Sequence, residues 1–307
     1  MRPNFEWRLR SGWLTLGERT LVMGVVNVTP DSFSDGGQFL DPARAVGRAL
    51  KLLEEGADIL DIGGESTRPG RTSEVSAGVE MRRILPVIDG ILKQAPAAVI
   101  SVDTYKSQTA EAALAAGAEI INDVSGFTWD EKMVEFLAGC QCGCVLMHTR
   151  GRPEQWPTLP SLAADEVVPL VLGGLRELSE RAVCSGIARE RLVLDPGFGF
   201  GKRLDENLPL LARLSDLRQL GFPILSGTSR KSFVTRSAGL KAGDPESVRL
   251  AGSIAAMTLS IVSGAHIVRV HDVKESVAAA RVASALLEAD RSDGKQAPRE
   301  AKLTPAK

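Results

Sequence analysis

Residues 97–123 read AAVISVDTYKSQTAEAALAAGAEIIND. An apolar run from Ala97 to Val102 stops at Asp103, a helix-forming stretch covers 106–116, and a second run from Ala118 to Ile121 stops at Asn122 and Asp123. A short buried strand, a crossover helix and the next parallel strand produce that pattern. The unit recurs along the chain. Leu21 to Val26 ends at Asn27, Ala57 to Leu60 at Asp61, Gly143 to Met147 at His148, and Leu192 to Leu194 at Asp195. Pro223 to Leu225 ends at Ser226, and His266 to Val268 at Arg269, with His271 just beyond. Eight such units with right-handed crossovers predict an α/β protein of the (β/α)8, or TIM-barrel, type. All eight polar stops then fall on one rim, at the C-terminal ends of the strands, where such barrels carry their chemistry.

The intervening segments read as helices. Asp41-Pro42 opens a stretch with Ala45, Val46, Ala49, Leu50 and Leu53 on one face before Gly56, a capped amphipathic pattern. Similar readings fit 76–94, 130–138, 161–184, 205–219, 245–263 and 273–289. Leu250 to Val268 holds no charged residue over a length that could cross a bilayer. Ser253, Thr258, Ser260, Ser263, Gly264 and His266 interrupt it, so it reads as helix plus strand, with no membrane span. Residues 5–18 alternate apolar and polar around Ser11-Gly12, predicting a β-hairpin that closes the barrel bottom. Residues 291–307 are charged, with Pro298 and Pro305 and no apolar period, and are expected to form a disordered tail after a single barrel domain at 1–290.

A chain of 307 residues with 44% hydrophobic and 24% charged residues can bury a large core. Its formal net charge of -1 excludes bulk attraction to nucleic acid and requires any anion site to be local. The segment after Met1 lacks an apolar signal core, which points to the cytoplasm. Cys140, Cys142, Cys144 and Cys184 lack C-x-x-C spacing and read as reduced thiols.

The loops after the strands carry the candidate chemistry. Residues 27–37, NVTPDSFSDGG, form a long strand-to-helix connection of the kind that makes lids. Residues 63–70, GGESTRPG, join glycines to hydroxyls and an arginine, donors suited to phosphate oxygens. Lys231 within GTSRKS at 227–232, together with Arg269 and His271, adds cations to the same rim. Asp103, Asn122 and Asp195 supply carboxylates and an amide suited to a polar heterocycle. The glycines of DPGFGFGK at 195–202 admit a flat ligand on which Phe200 could stack. Asp61 carries less weight in this reading than the loop after it, and His148 and His266 read as structural.

Taken in order, NVTPDSFSDGG, GGESTRPG, SVDT at 101–104, IND at 121–123, LMH at 146–148, DPGFGFGK, SRKS at 229–232 and RVHDV at 269–273 resemble the dihydropteroate synthase family. The resemblance spans about residues 20–289. It implies a transferase that condenses 6-hydroxymethyl-7,8-dihydropterin diphosphate with 4-aminobenzoate in folate synthesis, with magnesium as cofactor and a homodimeric assembly. It also implies roles. The pterin falls to Asp103, Asn122, Met147, Asp195, Phe200, Gly227 and Lys231, and the diphosphate to Asn27, Thr67, Arg68, Arg269 and His271. The aminobenzoate falls to Phe33, Thr67, Pro69, Lys231 and Ser232, the metal to Asn27 and Asp35, and catalysis to Asp103, Arg68, Lys231 and Arg269. Two alternatives stay open: a catalytically silent pterin-binding homologue, and a pterin-dependent methyltransferase, which would not need the rim cations.

Overall fold

The expected hairpin is formed by β1 (Phe5–Arg8) and β2 (Gly12–Leu16), with Phe5 opposite Leu16 and Trp7 opposite Leu14. Trp7, Leu9, Leu14 and Leu16 are buried against Leu21, Met23, Ile59, Val99, Ile120, Val145, Val193, Leu225 and Ile267. Those partners are inward-facing residues near the N-terminal ends of the barrel strands, so the hairpin stoppers that end. Gly143 shows how close the stopper sits: a Cβ there would lie 2.6 Å from Leu9 Cδ2 and 3.0 Å from the Trp7 ring. The Trp7 indole donates to the Arg191 carbonyl at 2.9 Å.

The computed structural model describes residues 2–29, 41–66, 74–241, 244–289 and 304–305. The barrel strands are β3 (Leu21–Asn27), β4 (Ile59–Gly63), β5 (Ile100–Asp103), β6 (Ile120–Asp123), β7 (Gly143–Met147), β8 (Leu192–Asp195), β9 (Leu225–Ser226) and β10 (Ile267–Val270). They pair in parallel in the order β8-β7-β6-β5-β4-β3-β10-β9. Leu194 pairs with Ile224, one residue before β9, which joins the two ends of the sheet. The helices are α1 (Pro42–Glu54), α2 (Ala77–Gln94), α3 (Ser107–Ala115), α4 (Glu131–Ala138), α5 (Ala164–Cys184), α6 (Asn207–Ala212), α7 (Ser232–Ser237), α8 (Glu246–Val262) and α9 (Val273–Ala289). Asp41 caps α1 by accepting from Ala43 N at 2.9 Å.

The expected helix at 205–219 is instead two pieces. Arg213 leaves helical geometry (φ -112°, ψ 24°), and residues 214–220 continue as a 3-10 turn. In the C-terminal stretch, Thr304–Pro305 (β11) pairs with β2, and the rest lies outside the described residues. Among the described residues no helix is long and apolar enough to cross a membrane.

His266 is structural, as expected. Its Nδ1 accepts from Ile224 N at 3.1 Å and its Nε2 faces the Pro3 carbonyl at 3.0 Å, an arrangement that requires the neutral ring. Burial pushes its pKa down from the ordinary 6.5 to about 3. The stability this provides is complete above 6.5 and is lost as pH falls toward about 3, because only the unfolded chain takes up the proton in that window. Between pH 6.5 and 5 the loss is about 2 kcal/mol. Denaturant midpoints should therefore fall more steeply with acid in the wild type than in His266→Gln; equal slopes would refute the assignment.

Candidate active site

Strand parity decides what faces the lumen. Register pairs Asn27 with Gly63, Gly63 with Asp103, Asp103 with Asn122, and Met147 with Asp195, which sets these strand ends around one mouth. Arg269 enters from β10, which pairs with β3 on one side and β9 on the other.

Asp61 is the hub of the polar cluster, in contrast to the small weight the sequence assigned it. It is fully buried. Its Oδ2 accepts from Arg269 Nε at 2.6 Å and from Asn122 Nδ2 at 3.1 Å, and its Oδ1 accepts from Ser101 Oγ at 2.6 Å. Arg269 Nη2 reaches on to Asp103 Oδ2 at 2.7 Å. Burial raises the Asp103 pKa, against the attraction of Arg269. Asp61 thus fixes which end of the Asn122 amide is spent. Asn122 Oδ1, Asp103 Oδ1 and Arg269 Nη1 remain without hydrogen bonds to described residues.

On the facing side, Asp195 Oδ1 accepts from Gly197 N at 2.7 Å and Oδ2 has no described donor. Burial raises its pKa, while the Gly197 amide and the charges of Lys231, Arg269 and Lys202 oppose the rise. The loop that follows needs its glycines. Gly197, Gly199 and Gly201 have φ of 67°, 81° and 67°, and a Cβ on Gly197 would lie 2.0 Å from the His148 carbonyl oxygen. Lys231 Nζ sits 4.3 Å from the Phe200 ring centroid, a cation–π contact, and hydrogen-bonds to no described residue. Burial, with Arg269 adding to it, lowers the Lys231 pKa to about 8. Met147 is buried with Tyr105 and Val124, and Phe200 and Trp129 pack against them, so the mouth has one aromatic wall.

The backbone twist at Arg230 (φ 58°) separates its neighbours. Arg230 turns outward to pair with Asp272 and Glu246, Lys231 turns inward, and Ser229 Oγ lies 3.1 Å from His271 Nδ1. Gly227 leaves room beside Arg269, whose Cβ would be 3.9 Å from a Cβ at 227. Ser232 is exposed at the start of α7 and takes no part in the hydrogen bonding of this cluster. Ser226 faces away, bonded to Ser260 Oγ at 3.0 Å. Asn27 is half-buried at the end of β3. Phe33, Asp35, Thr67, Arg68 and Pro69 lie outside the described residues.

Among the described residues no group of three or more His, Cys, Asp or Glu is placed to hold a metal. Asn27 offers a hard amide oxygen of the kind magnesium takes alongside water and phosphate oxygens. Cys140, Cys142, Cys144 and Cys184 are free thiols. His148 is buried with Nδ1 unpaired, and a Cβ on Gly174 would meet its ring at 2.5 Å, so it is wedged under α5 and faces away from the mouth's chemistry.

The family model for pterin-binding enzymes matches residues 23–271. Dihydropteroate synthase of Clostridium beijerinckii is 41% identical over 276 residues, covering 90% of this chain and 97% of the relative. The structure of Xanthomonas albilineans dihydropteroate synthase with 4-aminobenzoic acid superposes with a TM-score of 0.82 at 44% identity, over 92% of this chain and 98% of that one. The complex of the enzyme from the same organism with 7,8-dihydropteroate gives 0.74 at 39% identity, over 89% and 95%. With eight strands closing on a polar cluster, a family model that spans most of the barrel and relatives 41% and 44% identical over nearly their whole length, the chain belongs to the dihydropteroate synthase family of pterin-binding enzymes.

Proposed function

We propose that the chain joins 6-hydroxymethyl-7,8-dihydropterin diphosphate to 4-aminobenzoate, giving 7,8-dihydropteroate and diphosphate. The observation that carries this is the set of unspent polar atoms at the mouth: Asn122 Oδ1, Asp103 Oδ1, Asp195 Oδ2, Lys231 Nζ and Arg269 Nη1. Together they present acceptors and donors to a ligand of complementary pattern. A 2-amino-4-oxopterin fits. Its adjacent N–H groups meet Asp195 in parallel, the remaining ring N–H and the second amino hydrogen meet Asp103 and Asn122, and its oxygen and a ring nitrogen accept from Lys231. Met147, Gly227 and the Phe200 ring line the flat faces.

The rim cations take the diphosphate. Arg269 and His271 lie on one side, and Arg68, Thr67 and Asn27 are assigned to the other. As the C–O bond breaks, its electron pair leaves with the diphosphate oxygen, and these donors stabilise the growing charge. Asp103 and Asp195 stabilise positive charge spread over the dihydropterin. The arylamine nitrogen, unprotonated at neutral pH, forms the new C–N bond and releases a proton to solvent, so it needs placement rather than a base. Phe33, Thr67, Pro69, Lys231 and Ser232 are assigned to that placement. Asn27 and Asp35 would hold magnesium, which neutralises diphosphate charge when bound. The rim cations favour this reading over a methyltransferase, which has no anionic leaving group of this kind.

Two further proposals concern setting. Val248, Leu259 and Val262 on α8 and Val282 and Leu286 on α9 are exposed apolar side chains on the two adjoining helices, and a second copy of the chain would cover them in a homodimer. Free thiols agree with a cytoplasmic, reducing location.

Purified protein should turn over the two substrates. In calorimetry, Asp195→Asn should weaken binding of the bare pterin and of its diphosphate alike, by about tenfold or more, whereas Arg269→Ala should weaken chiefly the diphosphate. Equal affinity for both ligands, unchanged in the arginine variant, would remove the leaving-group assignment.

A further inference from the structure

Lys202 ends the glycine-rich loop and is 5% exposed, yet its ammonium group meets backbone only. It donates to the carbonyls of Gly197 at 2.8 Å, Phe200 at 3.1 Å and His148 at 3.2 Å. An ammonium group has three hydrogens, and three carbonyls take them. A buried cation without a carboxylate in contact is costly, so an apolar residue would be the cheaper occupant unless the carbonyls need the donor.

They need it because of the loop's own shape. Left-handed backbone at Gly197, Gly199 and Gly201 folds residues 197–201 back on themselves, turning the carbonyls of Gly197 and Phe200 toward one point. The His148 carbonyl, just past β7, joins them there. Without a cation the three oxygens would face one another unpaired. The same fold directs Gly197 N to Asp195 Oδ1 and Gly199 N to Asn207 Oδ1 at 2.7 Å, and Phe200 N to Gly197 O at 3.1 Å. Phe200 also meets Lys231 on its face and Trp156 edge-on at 5.5 Å. The groups that define one wall of the mouth therefore hang from the backbone that Lys202 gathers.

We infer that Lys202 is a positioning residue for the pterin, stapling the 195–202 loop to the end of β7 so that Phe200 and Asp195 hold their places. This rests on the reading that the pterin lies against that loop. Lys202 touches no substrate; it acts through carbonyls, and its charge is among those that oppose the rise burial causes in the Asp195 pKa.

The test compares wild type, Lys202→Met and Lys202→Ala, the last with and without propylammonium, by calorimetry, steady-state kinetics and hydrogen exchange. Lys202→Met is expected to weaken binding of pterin diphosphate by about tenfold or more while the KM for 4-aminobenzoate stays within about twofold. The Gly199 and Phe200 amides should exchange faster. Propylammonium, which replaces the deleted chain and its charge, should partly restore pterin binding to Lys202→Ala, whereas n-propanol should not. A folded Lys202→Met with wild-type pterin affinity and unchanged exchange would overturn the proposal, as would equal rises in both KM values. Should Lys202→Met not fold, Lys202→Gln, which keeps two donor hydrogens, decides on the same readouts. If the wild type binds no pterin, the proposed function falls, while hydrogen exchange still decides whether Lys202 holds the loop.

Discussion

Asp61→Ala is expected to lower kcat/KM for the pterin diphosphate by about 10²–10³, although both Asp61 oxygens are already engaged by protein donors. The carboxylate is wholly buried and serves Arg269, Asn122 and Ser101 at once. Removing one member of a buried ion pair costs about 3–5 kcal/mol, and about 1.4 kcal/mol corresponds to a factor of ten. Arg269 would keep Asp103 but lose the bond that aims its fork, and the Asn122 amide would be free to rotate and offer N–H where Oδ1 now faces the cavity. Asp61→Asn gives a graded control. Its amide oxygen can still accept from Arg269 and Asn122 while Ser101 switches to accepting, so geometry survives and only charge is lost. Rates should rank wild type, then Asn, then Ala. An alanine variant that folds and works within about fivefold of wild type would show that Asp61 organises nothing.

Gly197→Ala is expected to abolish measurable pterin binding at micromolar protein and to lower stability by about 1–3 kcal/mol. The new Cβ would lie 2.0 Å from the His148 carbonyl oxygen, a backbone atom anchored by His148 N–H bonding to the Asp195 carbonyl at 2.9 Å. Neither side can give way without moving the loop that carries Phe200. Gly199→Ala separates crowding from backbone strain: its φ is also left-handed, but its nearest neighbour would be Lys231 Cδ at 3.6 Å, ordinary contact. It should retain binding within about tenfold, the strain alone costing about 1–2 kcal/mol. If the two variants bind pterin equally, crowding at His148 is not what the glycine avoids.

Much of this architecture was legible because parallel strands buried on both faces leave a plain mark: apolar runs ended by polar residues. The same parity places Asn27, Asp103, Asn122, Asp195 and Arg269 on the lumen side. Asp61 was undervalued because its run was read as ending there, whereas β4 continues through Ile62 to Gly63. A carboxylate flanked by apolar residues inside a strand, with Ser101 at the equivalent inward position of β5, was the signal available. Lys202 left no such signal, since its partners are carbonyls that converge only after the glycines fold the loop. The break at Arg213 was equally silent, because the apolar spacing of 205–219 fits a continuous helix. Arg230 and Lys231 are adjacent cations in sequence, and only the left-handed twist at 230 sends one out to Asp272 and the other in to Phe200.

The hairpin packed beneath the strands turns the barrel into a blind well. Trp7, Leu9, Leu14 and Leu16 fill the floor, which leaves the mouth as the way in among the described residues. With the pterin proposed to lie at the depth of Asp61 and Asp195, and the arylamine between the outer loops, whatever sits lower enters first and whatever sits higher blocks its escape. On that proposed placement the closed floor, far from any reacting atom, makes pterin-first binding the expected result of product-inhibition kinetics.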